Sequence, residues 1–172
     1  IKNKTEIKNM IEAHIKDGVA VTKFLYWIKN SNIRKLDEIK VEKKLESFRK
    51  QSKNYLFPSF STIAGSGPNG AIIHYRSNKK SNRKLNKDHL LLIDSGGQYK
   101  WGTTDITRTI SFSDPSKKTK ELYTRVLKGH IAVAMSKIDK LKNGNNLDKH
   151  ARKSLNSVNL NYRHGTGHGV GF

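Results

Sequence analysis

From Thr5 to Ile28 the apolar residues Ile7, Met10, Ile11, Ile15, Val19, Phe24 and Ile28 recur at three- and four-residue intervals. That spacing predicts an amphipathic helix or a broken pair, with Gly18 as the weak point. Leu36, Ile39, Leu45 and Phe48 predict a second helix ending near Lys50. Leu122, Val126, His130, Val133, Ala134, Ile138 and Leu141 predict a third that stops at Asn143-Gly144. Asn146 is the expected cap of a short fourth helix carrying Leu147, Ala151 and Leu155. Between the second and third helices the period shortens to that of strands, over Ala71 to Tyr75, His89 to Asp94 and Thr104 to Phe112. The reading is α+β in one domain, without an internal repeat at solenoid spacing.

Composition narrows the class. With 172 residues, no cysteine and 34% hydrophobic content, the chain can bury one moderate core and cannot depend on disulfides. No apolar run approaches the roughly 18 residues of a membrane span, and Ile1 leads into a charged, helix-like stretch rather than a signal-peptide core. The expectation is a soluble, cytoplasmic chain with no membrane partner. The formal charge of +20, from 34 Lys+Arg against 14 Asp+Glu, would suit a polyanion such as RNA. The basic residues are scattered, however, and the densest run, Arg76 to Lys87 (RSNKKSNRKLNK), offers no aromatic ring for a base to stack on. A solvated basic surface is therefore expected rather than a nucleic-acid site.

Two stretches carry the candidate chemistry. Leu90 to Ile93 reads as a buried strand ending in Asp94, where an ionised carboxylate is costly unless it is paired or holds a cation. Asp105 lies eleven positions on, and a two-residue period puts Asp105, Thr107 and Thr109 on one face with Ile106 and Ile110 on the other. If the strands pair with Ser95 to Gly102 as the turn, the two aspartates approach each other. Close carboxylates repel unless a proton or a metal lies between them, which suits a divalent ion. On two aspartates alone the alternative stays open that Asp94 starts a turn and Asp105 pairs with Arg108 or a lysine. In the closing run, Gly165, Gly167, Gly169 and Gly171 alternate with other residues, which predicts an extended strand with a bare face approached by other backbone. His164, Thr166 and His168 share the opposite face. A straight strand would hold the two histidines roughly 13 Å apart, so one ligand and one substrate-facing histidine is the better division. Ser66-Gly-Pro-Asn-Gly70 is a turn signal that places His74 within or at the end of a strand, where taken alone it reads as a core histidine.

Taken together, Phe57-Pro-Ser-Phe60, GSGPNGAIIHY, LIDSGGQY, GTTDITRT, Leu147-Asp148 with Ala151-Arg152, and HGTGHGVG resemble, in this order and over nearly the whole chain, the aminopeptidase P branch of the pita-bread metallopeptidases. Those enzymes remove an N-terminal residue that precedes proline. The resemblance implies an α+β, partial pita-bread (creatinase/aminopeptidase-like) fold and peptides with proline at the second position as partners. It implies two divalent metal ions, manganese being usual, with Asp94 on one ion, Asp105 bridging both and His168 on the second. His74 and His164 match the catalytic histidines on the substrate side, and Thr107 matches a hydroxyl that orients the aspartates. Trp101 stands where many relatives carry aspartate, at a position that is not a ligand.

The family completes its site with two glutamates after the HGTGH segment. Here Glu6, Glu12, Glu38, Glu42, Glu46 and Glu121 all lie upstream, in helix-like stretches that read as exposed faces. The resemblance thus implies a partial catalytic domain over 1–172, with the second half and the family's amino-terminal domains missing, inactive alone, and homodimeric through parts outside it. Two alternatives stand beside it: the same fold acting on Xaa-Pro dipeptides, as in prolidase, or on initiator methionine; and a non-catalytic module whose basic surface contacts RNA or another acidic partner.

Overall fold

In the computed structural model, which describes residues 1–137 and 143–172, the first periodic stretch forms one uninterrupted helix, α1 (Lys4–Lys29). Asn3 opens it with a capping box: its side chain accepts from Glu6 N–H at 2.9 Å, and Glu6 accepts in return from Asn3 N–H at 2.7 Å. Gly18 does not break it. The buried face is Ala13, Asp17, Ala20, Val21, Phe24 and Ile28, whereas Ile7, Ile11, Ile15 and Val19 are exposed. The expected apolar stripe is thus turned outward in the first half of the helix, because Ala13 fits against Gly102 and Asp17 pairs with the buried Arg49. After a 3-10 turn (Ile33–Lys35), Asp37 caps α2 (Glu38–Arg49) by accepting from Lys40 N–H at 2.9 Å.

Two units account for the described residues, Ile1–Ser113 with Gly169–Phe172, and Asp114–His168. In the first, two three-stranded antiparallel sheets follow the helices. β2 (Ile63–Ser66), β3 (Leu91–Ser95) and β6 (Ile106–Ile110) form one, in the order β2-β3-β6; β1 (Tyr55–Pro58), β4 (Gly97–Tyr99) and β5 (Gly102–Thr103) form the other, in the order β1-β4-β5. The segment expected as a turn between Asp94 and Asp105 therefore holds two strands of the second sheet. In β3 burial alternates rather than running continuously: Leu91, Ile93 and Ser95 point inward, while Leu92 and Asp94 are half-buried. Val21, Phe24 and Ile28 of α1, Val41 and Leu45 of α2, Ala64, Leu85, Leu91, Ile93 and Ile110 make the core. Each larger side chain among them contributes about 1.5–3 kcal/mol on burial.

The expected strand over Ala71–Tyr75 is not formed. Gly67–Ala71 is a 3-10 turn with Pro68 in its first turn, and Ile72 N–H and Tyr75 N–H donate to Asn69 and Ile72 carbonyls at 3.2 Å each. Proline lacks the N–H a ladder needs, and the turn bonds occupy the backbone that follows.

The second unit is a helix pair, α3 (Lys117–Ala134) and α4 (Gly144–Asn156). Ser116 caps α3, and the cap of α4 is Asn143, which accepts from Asn145 N–H at 3.1 Å, not Asn146. The helices meet at Gly129, where a Cβ would lie 2.1 Å from the Ala151 carbonyl oxygen. Ile138 and Leu141, expected on the third helix, lie outside the described residues. No helix among the described residues is long and apolar enough to cross a membrane.

Candidate functional site

Asp94 and Thr107 stand directly opposite each other in the β3–β6 ladder, and the Thr107 hydroxyl donates to Asp94 Oδ1 at 2.8 Å. The pairing continues to Ser95 and Ile106, so Asp105 is the residue immediately before the last rung. The expected hairpin is real in this respect: both aspartates sit at one end of a two-strand ladder, and Asp94 faces away from the core while Ser95 faces into it. Gly96, immediately after β3, has no room for a side chain. A Cβ there would lie 1.9 Å from the Thr104 carbonyl oxygen and 2.2 Å from Ser59 Oγ. Only glycine permits that approach of the two aspartate-bearing segments.

His74 is exposed in the turn after Gly67–Ala71 and adopts φ 54, so it is neither a strand residue nor a core histidine. The loop that carries it is tied down from inside by Glu38, the first residue of α2. Glu38 Oε1 accepts from Ser66 N–H at 2.7 Å and Asn69 Nδ2 at 3.0 Å; Oε2 accepts from the Tyr75 hydroxyl at 2.7 Å and Arg83 N–H at 2.9 Å. Glu38 is 0% exposed, which corrects its reading as a residue of a solvated face. Burial pushes the Tyr75 phenol above its ordinary value, and the Glu38 carboxylate beside it adds to the rise. The basic run 76–87 is solvated at its lysines, yet its Ser81 carbonyl and Arg83 N–H complete this buried network, and Leu85 enters the core.

In the second unit Arg152 of α4 organises the closing segment. Its Nε donates to Asp148 at 2.9 Å, Nη1 to the Tyr162 carbonyl at 2.6 Å and Nη2 to the His164 carbonyl at 2.8 Å. The guanidinium lies 3.9 Å over the Tyr162 ring, which stacks on the His164 ring at 4.6 Å. Thr166 donates to Asp148, so one carboxylate spans the turn. That hydrogen bond first, and those from Arg152 next, hold the Asp148 carboxyl below the usual carboxylate range. The extended strand expected across the alternating glycines is not formed among the described residues. Chain neighbours aside, no atom of the described residues lies within 4 Å of where a Cβ would stand at Gly165, Gly167, Gly169 or Gly171, and residues 162–166 are held by side-chain hydrogen bonds to α4 instead.

Residues 8–172 match metallopeptidase family M24. The chain belongs to that family. Aminopeptidase P2 of Arabidopsis thaliana is 47% identical over 176 residues, which are 99% of this M24 chain and 24% of that protein. Xaa-Pro aminopeptidase ApepP of Drosophila melanogaster is 47% identical over 168 residues, 96% and 27% respectively. The crystal structure of X-prolyl aminopeptidase from Caenorhabditis elegans, described as a cytosolic enzyme with a di-nuclear active site, matches with a TM-score of 0.92 at 36% identity, over 99% of this chain and 28% of that one. The M24 chain thus has the α+β, pita-bread type of fold expected of it, and spans about a quarter of the length of these relatives.

The donor chemistry of the M24 chain suits part of a divalent-metal site. Asp94 and Asp105 offer hard oxygen donors at one ladder end, and Thr107 fixes one of those oxygens. Among the described residues no group of three or more His, Cys, Asp or Glu side chains is arranged to hold a metal ion. Residues that pattern alone missed are Glu38, Asp17 and Arg49, all buried and all polar. A charged residue on a helix carries no one-dimensional mark of burial.

Proposed function

We propose that this chain supplies Asp94, Asp105 and His168 as metal ligands of a dinuclear Xaa-Pro aminopeptidase, which hydrolyses the bond between an N-terminal residue and a following proline. The observation that carries this reading is the Asp94–Thr107 rung, with Asp105 one residue beyond its neighbour on a ladder that Gly96 allows to close tightly. His168 enters through the HGTGH motif. When bound, a pair of divalent ions, manganese in this reading, supplies Lewis acidity and water activation. Thr107 holds the Asp94 carboxylate in one rotamer, and the exposed imidazoles of His74 and His164 bind and orient the peptide carbonyl. The cytosolic description of the nematode enzyme supports the same compartment here.

None of the six glutamates is placed to act as a family glutamate ligand in this reading. Glu38, the buried one, is fully engaged by its own donors. The 172 residues alone are therefore expected to bind Mn²⁺ and not to turn over. Calorimetric titration with Mn²⁺ of the chain, Asp94→Ala and Asp105→Ala tests this directly. Binding lost in both variants supports the reading, and binding unchanged in both sinks it. A prolidase-like specificity also has support, since the Xaa-Pro dipeptidase of Bacillus anthracis matches with a TM-score of 0.77 at 29% identity. Hydrolysis of Xaa-Pro-Xaa tripeptides but not Xaa-Pro dipeptides by a longer protein carrying this sequence would decide for the aminopeptidase.

A further inference from the structure

Beneath the two aspartates lies a polar cluster that the reading above does not use. Asp17 of α1 and Arg49 of α2 form a buried ion pair, with Arg49 Nε 2.6 Å from Asp17 Oδ1 and Nη2 3.0 Å from Oδ2. The Tyr99 hydroxyl donates to Asp17 Oδ1 at 2.9 Å and the Thr104 hydroxyl to Oδ2 at 2.8 Å. Arg49 Nη2 also donates to Ser95 Oγ at 3.1 Å. Asp17, Ser95 and Thr104 are 0% exposed, Tyr99 1% and Arg49 2%. Ser95 directly follows Asp94, and Thr104 directly precedes Asp105. The two arms of one ion pair therefore end on the residues next to each aspartate.

We propose that the buried Asp17–Arg49 pair is a positioning device that sets the relative placement of Asp94 and Asp105. This deepens the metal reading and rests on it. A buried ion pair is a poor source of net stability, because desolvation offsets most of the attraction. What this one does is join five segments, through Asp17, Arg49, Ser95, Tyr99 and Thr104. Anchoring Ser95 inward turns Asp94 to the opposite face of β3, since successive side chains alternate. Anchoring Thr104 fixes the entry to Asp105, and the same hydroxyl accepts from Gly97 N–H at 2.8 Å while Thr104 N–H donates to the Gly97 carbonyl at 2.9 Å. The bare Gly96 lets those segments close on each other. Asp17, Arg49, Ser95 and Thr104 are positioning residues, acting through the backbone that links Ser95 to Asp94 and Thr104 to Asp105.

The test uses the 172-residue chain with Thr104→Val, which keeps the shape and removes the hydroxyl, and Thr104→Ser, which restores it. Arg49→Met is a third variant, and the threonine pair suffices should it fail to fold. Residual dipolar couplings report the orientation of the Asp94 and Asp105 amides without metal, and calorimetry reports Mn²⁺ affinity. Thr104→Val is expected to shift the Asp105 coupling and to weaken Mn²⁺ binding about 10–100-fold, as loss of an orienting partner does. Thr104→Ser should recover both. A folded Thr104→Val chain with unchanged couplings and unchanged affinity overturns the positioning role, even where Asp94→Ala abolishes binding and the metal reading stands. If Asp94→Ala and Asp105→Ala leave binding unchanged, the metal reading falls, and the couplings alone decide: shifted ones support positioning, unshifted ones overturn it.

Discussion

Thr107 reaches Asp94 through one hydroxyl, and in Thr107→Val that carboxylate oxygen loses its partner while the strand keeps a β-branched side chain of the same shape. Mn²⁺ affinity is expected to fall about 10–100-fold with little change in melting temperature, measured by calorimetry and thermal unfolding on the same samples. A variant that binds as tightly as the parent would remove Thr107 from the site. In the sequence the two-residue period put Thr107 on the face of Asp105, and only the family resemblance gave it an orienting role. Glu38 was not, since a glutamate at the start of a helix has the same appearance whether it faces water or four donors. Glu38→Ala would leave Ser66 N–H and Arg83 N–H without their buried acceptor. The expected loss is about 2–4 kcal/mol in urea unfolding at neutral pH, and a loss under about 0.5 kcal/mol would show that water replaces the carboxylate.

Helices were the most legible elements, and their faces the least. The extent of α1 follows from its periodicity and its Asn3 cap, yet the residues that pack are Ala13 and Asp17 rather than Ile11 and Ile15. The reason is close approach: a Cβ at Gly102 of β5 would lie 3.0 Å from Ala13 Cβ and 3.3 Å from the Asn9 carbonyl oxygen, so there is no room for isoleucine at position 13. The closing HGTGH segment shows the converse, a period of two without a strand, because an alternation of glycines has no meaning until another strand pairs with it. What holds the segment is α4, and this carries a pH dependence. The Asp148 carboxyl is held below the ordinary aspartate value of about 3.9 by Thr166 and then Arg152. A depressed pKa means that the ordering is fully present above that ordinary value and is lost as pH falls through the lower, folded value. Amide exchange protection at Tyr162 should therefore hold from neutral pH down to about pH 4 and decline below it. Thr166→Val should move the onset upward, as seen in the Asp148 side-chain carbon by NMR; an onset unmoved by Thr166→Val would assign the clamp to Arg152 alone.

At the scale of the whole molecule, the family was legible from the order of short motifs, whereas the two-unit arrangement and the buried ion pair under the aspartates were not. Charge is the one global property that composition states outright, and its consequence has a definite sign. A formal +20 on 172 residues sets the folded chain against its own repulsion. Opposing that are exposed pairs such as Lys50–Glu46 and Lys120–Asp114, each contributing about 0–1 kcal/mol and weakened by salt. The buried Asp17–Arg49 pair is shielded from ions by the core around it. Raising sodium chloride from about 0.01 M to about 0.1 M shortens the screening length from about 30 Å to about 10 Å. That range removes repulsion between distant lysines and leaves contacts of a few ångströms largely intact. The melting temperature is therefore expected to rise with chloride in that range, and to rise less in Lys→Gln variants at 79, 80 and 87, which carry less of the excess charge. A melting temperature that falls with chloride would mean that local pairs, rather than the excess of lysine, dominate the electrostatics of the folded chain.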